Sequence, residues 1–101
     1  RDTVIRVGNL SFDSVQRMAH RDDVPIILPR RELALLELLA RRAGRVVMRE
    51  ALEGAVYSFD DDIQSNALDS HVSRLRRRLR EAGCDVVIRA VRGVGYMLGA
   101  P

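Results

Sequence analysis

A chain of 101 residues makes one domain, since independent cores rarely divide below about 100 residues. Its apolar share of 47% excludes a disordered tail or a fibrous repeat, and no uncharged apolar run approaches the ~18 residues that span a bilayer. The net charge of +3 is unevenly placed: residues 1–65 hold 10 Arg against 11 acids, residues 66–101 hold 7 against 3, which suggests a polyanion partner on one face.

The first 28 residues predict short strands at Val4–Val7, Leu10–Phe12, Gln16–Ala19 and Ile26–Leu28. Turn chemistry at Gly8-Asn9, Asp13-Ser14 and Arg21-Asp22-Asp23 separates them. Gaps this short allow only antiparallel neighbours, so a four-stranded meander is expected, covered on one face by a helix layer. That layer starts after Pro29. From Arg30 to Ala43, Leu33, Leu36, Ala40 and Ala43 fall at helical spacing, and Leu35, Leu38 and Leu39 widen the stripe. A helix apolar over so much of its circumference is expected to be central. Gly44 ends it, with Arg41 and Arg42 complementing the dipole in the last turn.

Val46-Val47-Met48 reads as a short extended link, and Arg49 to Val56 as a second, weaker helix. The acidic loop that follows carries Asp60, Asp61 and Asp62, but no calcium-ligand spacing continues it. A third helix is predicted over about 65–82, closed by Gly83. Its apolar residues Leu68, Val72, Leu75 and Leu79 form a narrow stripe. Alternation over Val86–Val91 and Tyr96–Leu98, around Gly93 and Gly95, predicts a β-hairpin.

On a helical wheel of the third helix, Val72, Leu75 and Leu79 lie within about 40° of Leu68. Asn66, Ser70, Ser73, Arg74 and Arg77 occupy the far side, with Arg76 and Arg80 on one edge and His71 and Arg78 on the other. These side-chain types contact phosphates and read base edges in a major groove. A solvated basic face accounts for the wheel equally well. A membrane-surface helix fits less well, since the stripe carries no aromatic anchor, and two heptads are too few for a coiled coil. The hairpin tips the balance toward the groove reading, against a hairpin whose Arg is merely exposed. Arg92 would extend from a slim glycine loop able to enter a minor groove beside the helix. Gly93-x-Gly95-x-x-x-Gly99 misses the dinucleotide spacing, and no helix follows it.

Helix, turn, helix and hairpin make a winged helix. Leu28–Leu39 (LPRRELALLELL), Gly44–Leu52 (GRVVMREAL), Leu68–Leu79 (LDSHVSRLRRRL) and Val91–Leu98 (VRGVGYML) resemble the effector domain of OmpR/PhoB-type response regulators. The likeness covers essentially the whole chain, and Tyr57–Asp60 through Ser65–Leu68 is similar to the branch in which Asn opens the recognition helix. The expected fold is therefore α+β: a winged helix-turn-helix with an N-terminal four-stranded antiparallel sheet, three helices and a C-terminal hairpin wing.

The resemblance implies a transcription regulator that binds double-stranded DNA, with the helix at 65–82 in the major groove and the wing at about 86–98 at the minor groove. Carried over by position, Asn66, Ser70, Ser73, Arg74 and Arg77 would face bases or nearby phosphates. Tyr57, His71 and Arg76 would lie near the backbone, and Arg92 with Tyr96 would belong to the wing. The loop Phe59, Asp60, Asp61, Asp62, Ile63, Gln64 matches a segment that touches RNA polymerase in some relatives. Two copies would fill direct-repeat half-sites as a homodimer on DNA. The chain opens on Arg1 without a signal peptide, and the resemblance implies a preceding receiver domain phosphorylated by a sensor histidine kinase.

Three positions depart from the family pattern. Pro29 stands where Thr is usual in Thr-x-x-Glu, so Glu32 keeps only its half of a capping box, a loss of roughly 1 kcal/mol. Ala90 replaces a frequent Thr in the wing strand, and Ser73 replaces a longer polar side chain. The single cysteine, Cys84, cannot form an internal disulfide, which fits a reducing cytoplasm. With His20 and His71 it cannot complete a zinc site, so no metal or cofactor is expected. No Ser–His–acid set has a recognisable signature, and no enzyme activity is expected. The alternative to DNA binding is a protein-interaction module whose basic face meets an acidic partner.

Overall fold

In the computed structural model, which describes residues 3–57 and 67–101, four short strands open the chain. These are β1 (Val4–Val7), β2 (Leu10–Asp13), β3 (Met18–Arg21) and β4 (Val24–Ile26). They pair antiparallel in the order β1-β2-β3-β4. The register aligns Ile5, Phe12, Ala19 and Ile26 across one face, and Phe12 and Ala19 are fully buried there. That row is the sheet's half of the core.

Two strands differ from the sequence expectation, each for a local reason. The third starts at Met18 rather than Gln16. The Asp13 carboxylate accepts hydrogen bonds from the Val15 and Gln16 amides at 2.9 and 3.1 Å, and Arg17 takes a left-handed φ of 54°. Those residues are thereby committed to the turn. The fourth covers Val24–Ile26 rather than Ile26–Leu28. A two-residue turn at Asp22-Asp23 sets Arg21 opposite Val24 and leaves Ile27 79% exposed beyond the strand. Pro25 is tolerated because β4 is an edge.

Helix α1 (Arg30–Arg41) buries Leu35, Leu36, Leu39 and Ala40 together with Glu32, a repeat of three and four residues that presents one stripe to the core. It ends two residues before the expected Ala43, because the Arg42 and Ala43 amides turn back to the Leu39 and Ala40 carbonyls. Pro29 provides no side-chain cap. Glu32 does not complete a capping box either: its carboxylate is buried and meets His71 on a later helix.

Strand β5 (Val47–Met48) leads directly into α2 (Arg49–Tyr57). The segment expected as a short extended link is a paired strand, with Val47 opposite Tyr96 and Met48 opposite Gly95. Helix α3 (Ala67–Glu81) follows, then β6 (Val87–Val91) and β7 (Gly95–Gly99), and the second sheet has the order β5-β7-β6. The expected helix start at Ser65 lies outside the described residues.

Leu68, Val72, Leu75 and Leu79 of α3 are all buried and join one core with Phe12, Leu35, Leu52, Ile88 and Leu98. After α3, the Gly83 and Cys84 amides return to the Arg80 and Leu79 carbonyls, with Gly83 at φ 85°, a glycine-dependent helix stop. Arg21 donates to the Ala82 carbonyl at 2.9 Å, and Asn9 and Asp85 exchange hydrogen bonds at 3.0 Å. These contacts tie the N-terminal sheet to the end of α3. The architecture is a winged helix: a four-stranded sheet, a three-helix layer and a hairpin wing.

Candidate nucleic-acid interface

The spacing of four apolar residues on α3 decides which side chains are left outside. With Leu68, Val72, Leu75 and Leu79 inward, Ser73, Arg74, Arg77 and Arg80 are exposed and Ser70 is half-buried. Five groups from a 15-residue helix thus form a polar, cationic surface with no acid among them. Asn66, and the loop Phe59, Asp60, Asp61, Asp62, Ile63 and Gln64, lie outside the described residues. Tyr57 is half-buried at the end of α2 and packs against the core.

The tip of the wing is Arg92-Gly93-Val94, all exposed, closed by a hydrogen bond from the Val94 amide to the Val91 carbonyl at 2.9 Å. The wing is not free to swing. The Val94 carbonyl accepts from the Arg49 amide at 3.0 Å, so the first residue of α2 holds the tip. The Arg49 guanidinium then donates two hydrogen bonds to Asp69, at 3.0 and 3.3 Å. Asp69, in the first turn of α3, also accepts the Tyr96 hydroxyl from the wing. One carboxylate therefore joins α2, α3 and β7.

Two expected site residues turn into this scaffold. Tyr96 is 7% exposed, and Arg76 donates to the Ile88 carbonyl from Nε at 3.0 Å and Nη2 at 2.7 Å. The Arg76 guanidinium also lies 5.5 Å from the Tyr96 ring centre, within cation–π range. In this geometry Arg76 and Tyr96 fasten the wing to α3, whereas the sequence reading has both at the DNA surface. His71 is likewise turned partly inward, with Nδ1 against the buried Glu32 carboxylate. Sequence reasoning passed over Arg49 and Asp69. The available signals were a cation opening α2 and an acid in the first turn of α3, and neither indicates that the two meet.

The charges on this junction reinforce one another. The Arg49 guanidinium, with the Tyr96 hydroxyl second, holds the Asp69 carboxyl below the usual carboxylate range. Burial, then the hydrogen bond to Asp69, pushes the Tyr96 hydroxyl up. Because the folded value of Asp69 is depressed, its stabilisation is present above the unfolded value, about 3.9, and is lost as pH falls through the folded one. Asp69→Asn is therefore expected to flatten the acid limb of the stability curve in pH-dependent thermal melts. Tyr96→Phe, which removes one hydrogen bond but leaves the Arg49 pair, is expected to cost about 1 kcal/mol, or roughly 4–8 °C in melting temperature.

Among the described residues, no group of three or more His, Cys, Asp or Glu side chains could hold a metal ion. No helix there is long and apolar enough to cross a membrane.

The family model described as "Transcriptional regulatory protein, C terminal" matches residues 23–98. The chain is 46% identical over 95 residues to a probable transcriptional regulatory protein, y4xI, of Sinorhizobium fredii, covering 94% of this chain and 42% of that protein. It is 45% identical over 95 residues to the transcriptional regulatory protein QseB of Escherichia coli, covering 94% of this chain and 42% of that one. The chain thus spans less than half the length of these relatives. In structure it is similar to the DNA-binding domain of RstA from Klebsiella pneumoniae, solved in complex with the RstA box. There the TM-score is 0.76 at 29% identity, over 95% of this chain and 96% of the other.

Proposed function

The chain belongs to the family of C-terminal domains of transcriptional regulatory proteins, and from that premise we propose that it binds duplex DNA sequence-specifically as the output domain of a two-component response regulator. In this reading α3 enters the major groove. Ser70, Ser73, Arg74 and Arg77 face base edges and nearby phosphates, and Arg92 carries the wing to the adjacent minor groove. The observation that carries it is the exposed cationic face of α3 beside an exposed wing tip. Asp69 bonds to both α2 and β7, so helix and wing meet the duplex as one body.

The likeness to a DNA-binding domain solved with its target duplex supports the same reading. Two copies on direct-repeat half-sites, contact of residues 59–64 with RNA polymerase, Asn66 at the opening of the recognition helix, and control by a receiver domain and sensor kinase complete the proposal. They rest on the family resemblance, and a cytoplasmic location accords with it.

The test is a titration of labelled duplex at several salt concentrations. Each phosphate neutralised contributes about 0.9 to the slope of log affinity against log salt. Arg92→Ala is expected to bind more weakly with a slope shallower by roughly 0.9. Affinity and slope equal to the parent's would remove the wing from the interface.

A further inference from the structure

Among the described residues, β6 pairs with β7 alone and is an edge of its sheet, so half of its backbone groups face away from the ladder. The register says which half. Toward β5, strand β7 turns its even-numbered residues: the Val94 and Leu98 carbonyls accept from the Arg49 and Gly44 amides, and Tyr96 stands opposite Val47. Alternation then turns Gly95, Met97 and Gly99 to β6, where Val91, Arg89 and Val87 oppose them. Ile88 and Ala90 are left with their amides and carbonyls on the free edge. The Ile88 carbonyl is found there, capped by two donors from Arg76 at 3.0 and 2.7 Å.

The same contacts fix where that edge lies. Arg76 reaches Ile88, and Asp69 accepts the hydroxyl of Tyr96, the cross-strand neighbour of Ala90. Ala90 is thereby bracketed along the seam between α3 and the wing, beside the stretch of helix that carries the exposed Ser73. The residue is itself exposed, and its side chain is a single methyl, so no bulky group of its own covers the amide. Arg89 and Arg92 are exposed to either side of it, and the acid of this seam, Asp69, is already paired with Arg49. The field there favours an anion. With the Ile88 carbonyl capped, the open edge is too short to take an added strand, which needs several successive backbone groups.

We infer that the Ala90 backbone amide donates to a phosphate of the duplex, so that β6 binds DNA through its main chain as well as through Arg92. Backbone N–H groups serve as phosphate donors, and such a contact fixes register without reading sequence. The inference rests on the DNA-binding reading above and adds to it a donor that belongs to no side chain.

The experiment replaces the amide between Arg89 and Ala90 by an ester, which removes the N–H and leaves every side chain in place. A synthetic segment 84–101 carrying the ester is joined to residues 1–83 at Gly83-Cys84, where Cys84 provides the thiol that such a ligation needs. An all-amide protein is made the same way. Both are titrated against a labelled duplex selected from a random-sequence pool on the parent protein. The ester protein is expected to bind roughly tenfold more weakly, the size of one hydrogen bond to a charged group, on cognate and scrambled duplexes alike. Its salt slope is expected to equal that of the all-amide protein, since no charge is lost; a wing merely loosened by the ester would shed the Arg92 contact and flatten the slope. In the unmodified parent, the Ala90 amide proton is expected to move downfield and to exchange more slowly with solvent once duplex is bound. An ester protein that binds like the all-amide one, a flattened slope, or an Ala90 amide proton unmoved by duplex would overturn the inference while leaving DNA binding intact. A parent that enriches no duplex overturns the underlying reading, and this inference with it.

Discussion

Gly95→Ala is expected to destabilise the domain by about 3 kcal/mol or more, a drop of at least roughly 12 °C in melting temperature. A Cβ built on Gly95 would stand 1.9 Å from the Val47 carbonyl oxygen and 2.9 Å from its carbon, and neither is a side chain that can rotate away. The two strands would have to separate by more than an ångström. β5 is a two-residue edge strand, but it runs directly into α2, so its displacement is passed on to that helix. It would also move Met48 and hence Arg49, which bonds to the Val94 carbonyl and to Asp69. One methyl group therefore loosens the wing, the start of α2 and the clamp on α3 together. Differential scanning calorimetry measures the effect, and a melting temperature within a few degrees of the parent's would mean that β5 does not pair as described.

Arg74→Ala and Arg77→Ala are each expected to weaken binding to a selected duplex by about 1–3 kcal/mol if the guanidinium pairs with a guanine, roughly 5- to 150-fold. A replacement that removes only a phosphate contact weakens all sequences alike and lowers the salt slope by about 0.9. Comparing cognate with scrambled duplex separates the two roles. Neither arginine contributes a hydrogen bond to the core, and both are exposed, so neither replacement should lower the melting temperature appreciably. Lost affinity without lost stability is the signature of an interface residue.

Helix α3 is the most legible element in the sequence. Four apolar residues spaced by four, three and four fix which face of α3 is buried, and all four are buried in the structure. The meander was legible in number and direction but not in phase. The carboxylate of Asp13 and the left-handed Arg17 extend one turn, and the Asp22-Asp23 turn advances the last strand, effects that alternation cannot register.

Strand β5 was missed because two residues carry no periodicity. Its identity lies in the partner strand, where Gly95 permits the close approach. The Asp69 junction was illegible for a related reason: Arg49, Asp69 and Tyr96 are far apart in the chain and meet only once α2, α3 and β7 are packed. Glu32 shows the opposite failure. Its place three residues after Pro29 resembles a cap, yet Pro29 has no side-chain oxygen to reciprocate, and burial of the first turn directs the carboxylate to His71.

The surface itself can be observed by following backbone amide chemical shifts while a selected duplex is titrated into isotope-labelled protein. The account predicts large shifts along Ser70–Arg80 and at Arg92–Val94, with the outer face of the four-stranded sheet at Arg6, Ser11 and His20 unmoved. Shifts concentrated on that sheet, with α3 and the wing tip silent, would contradict it.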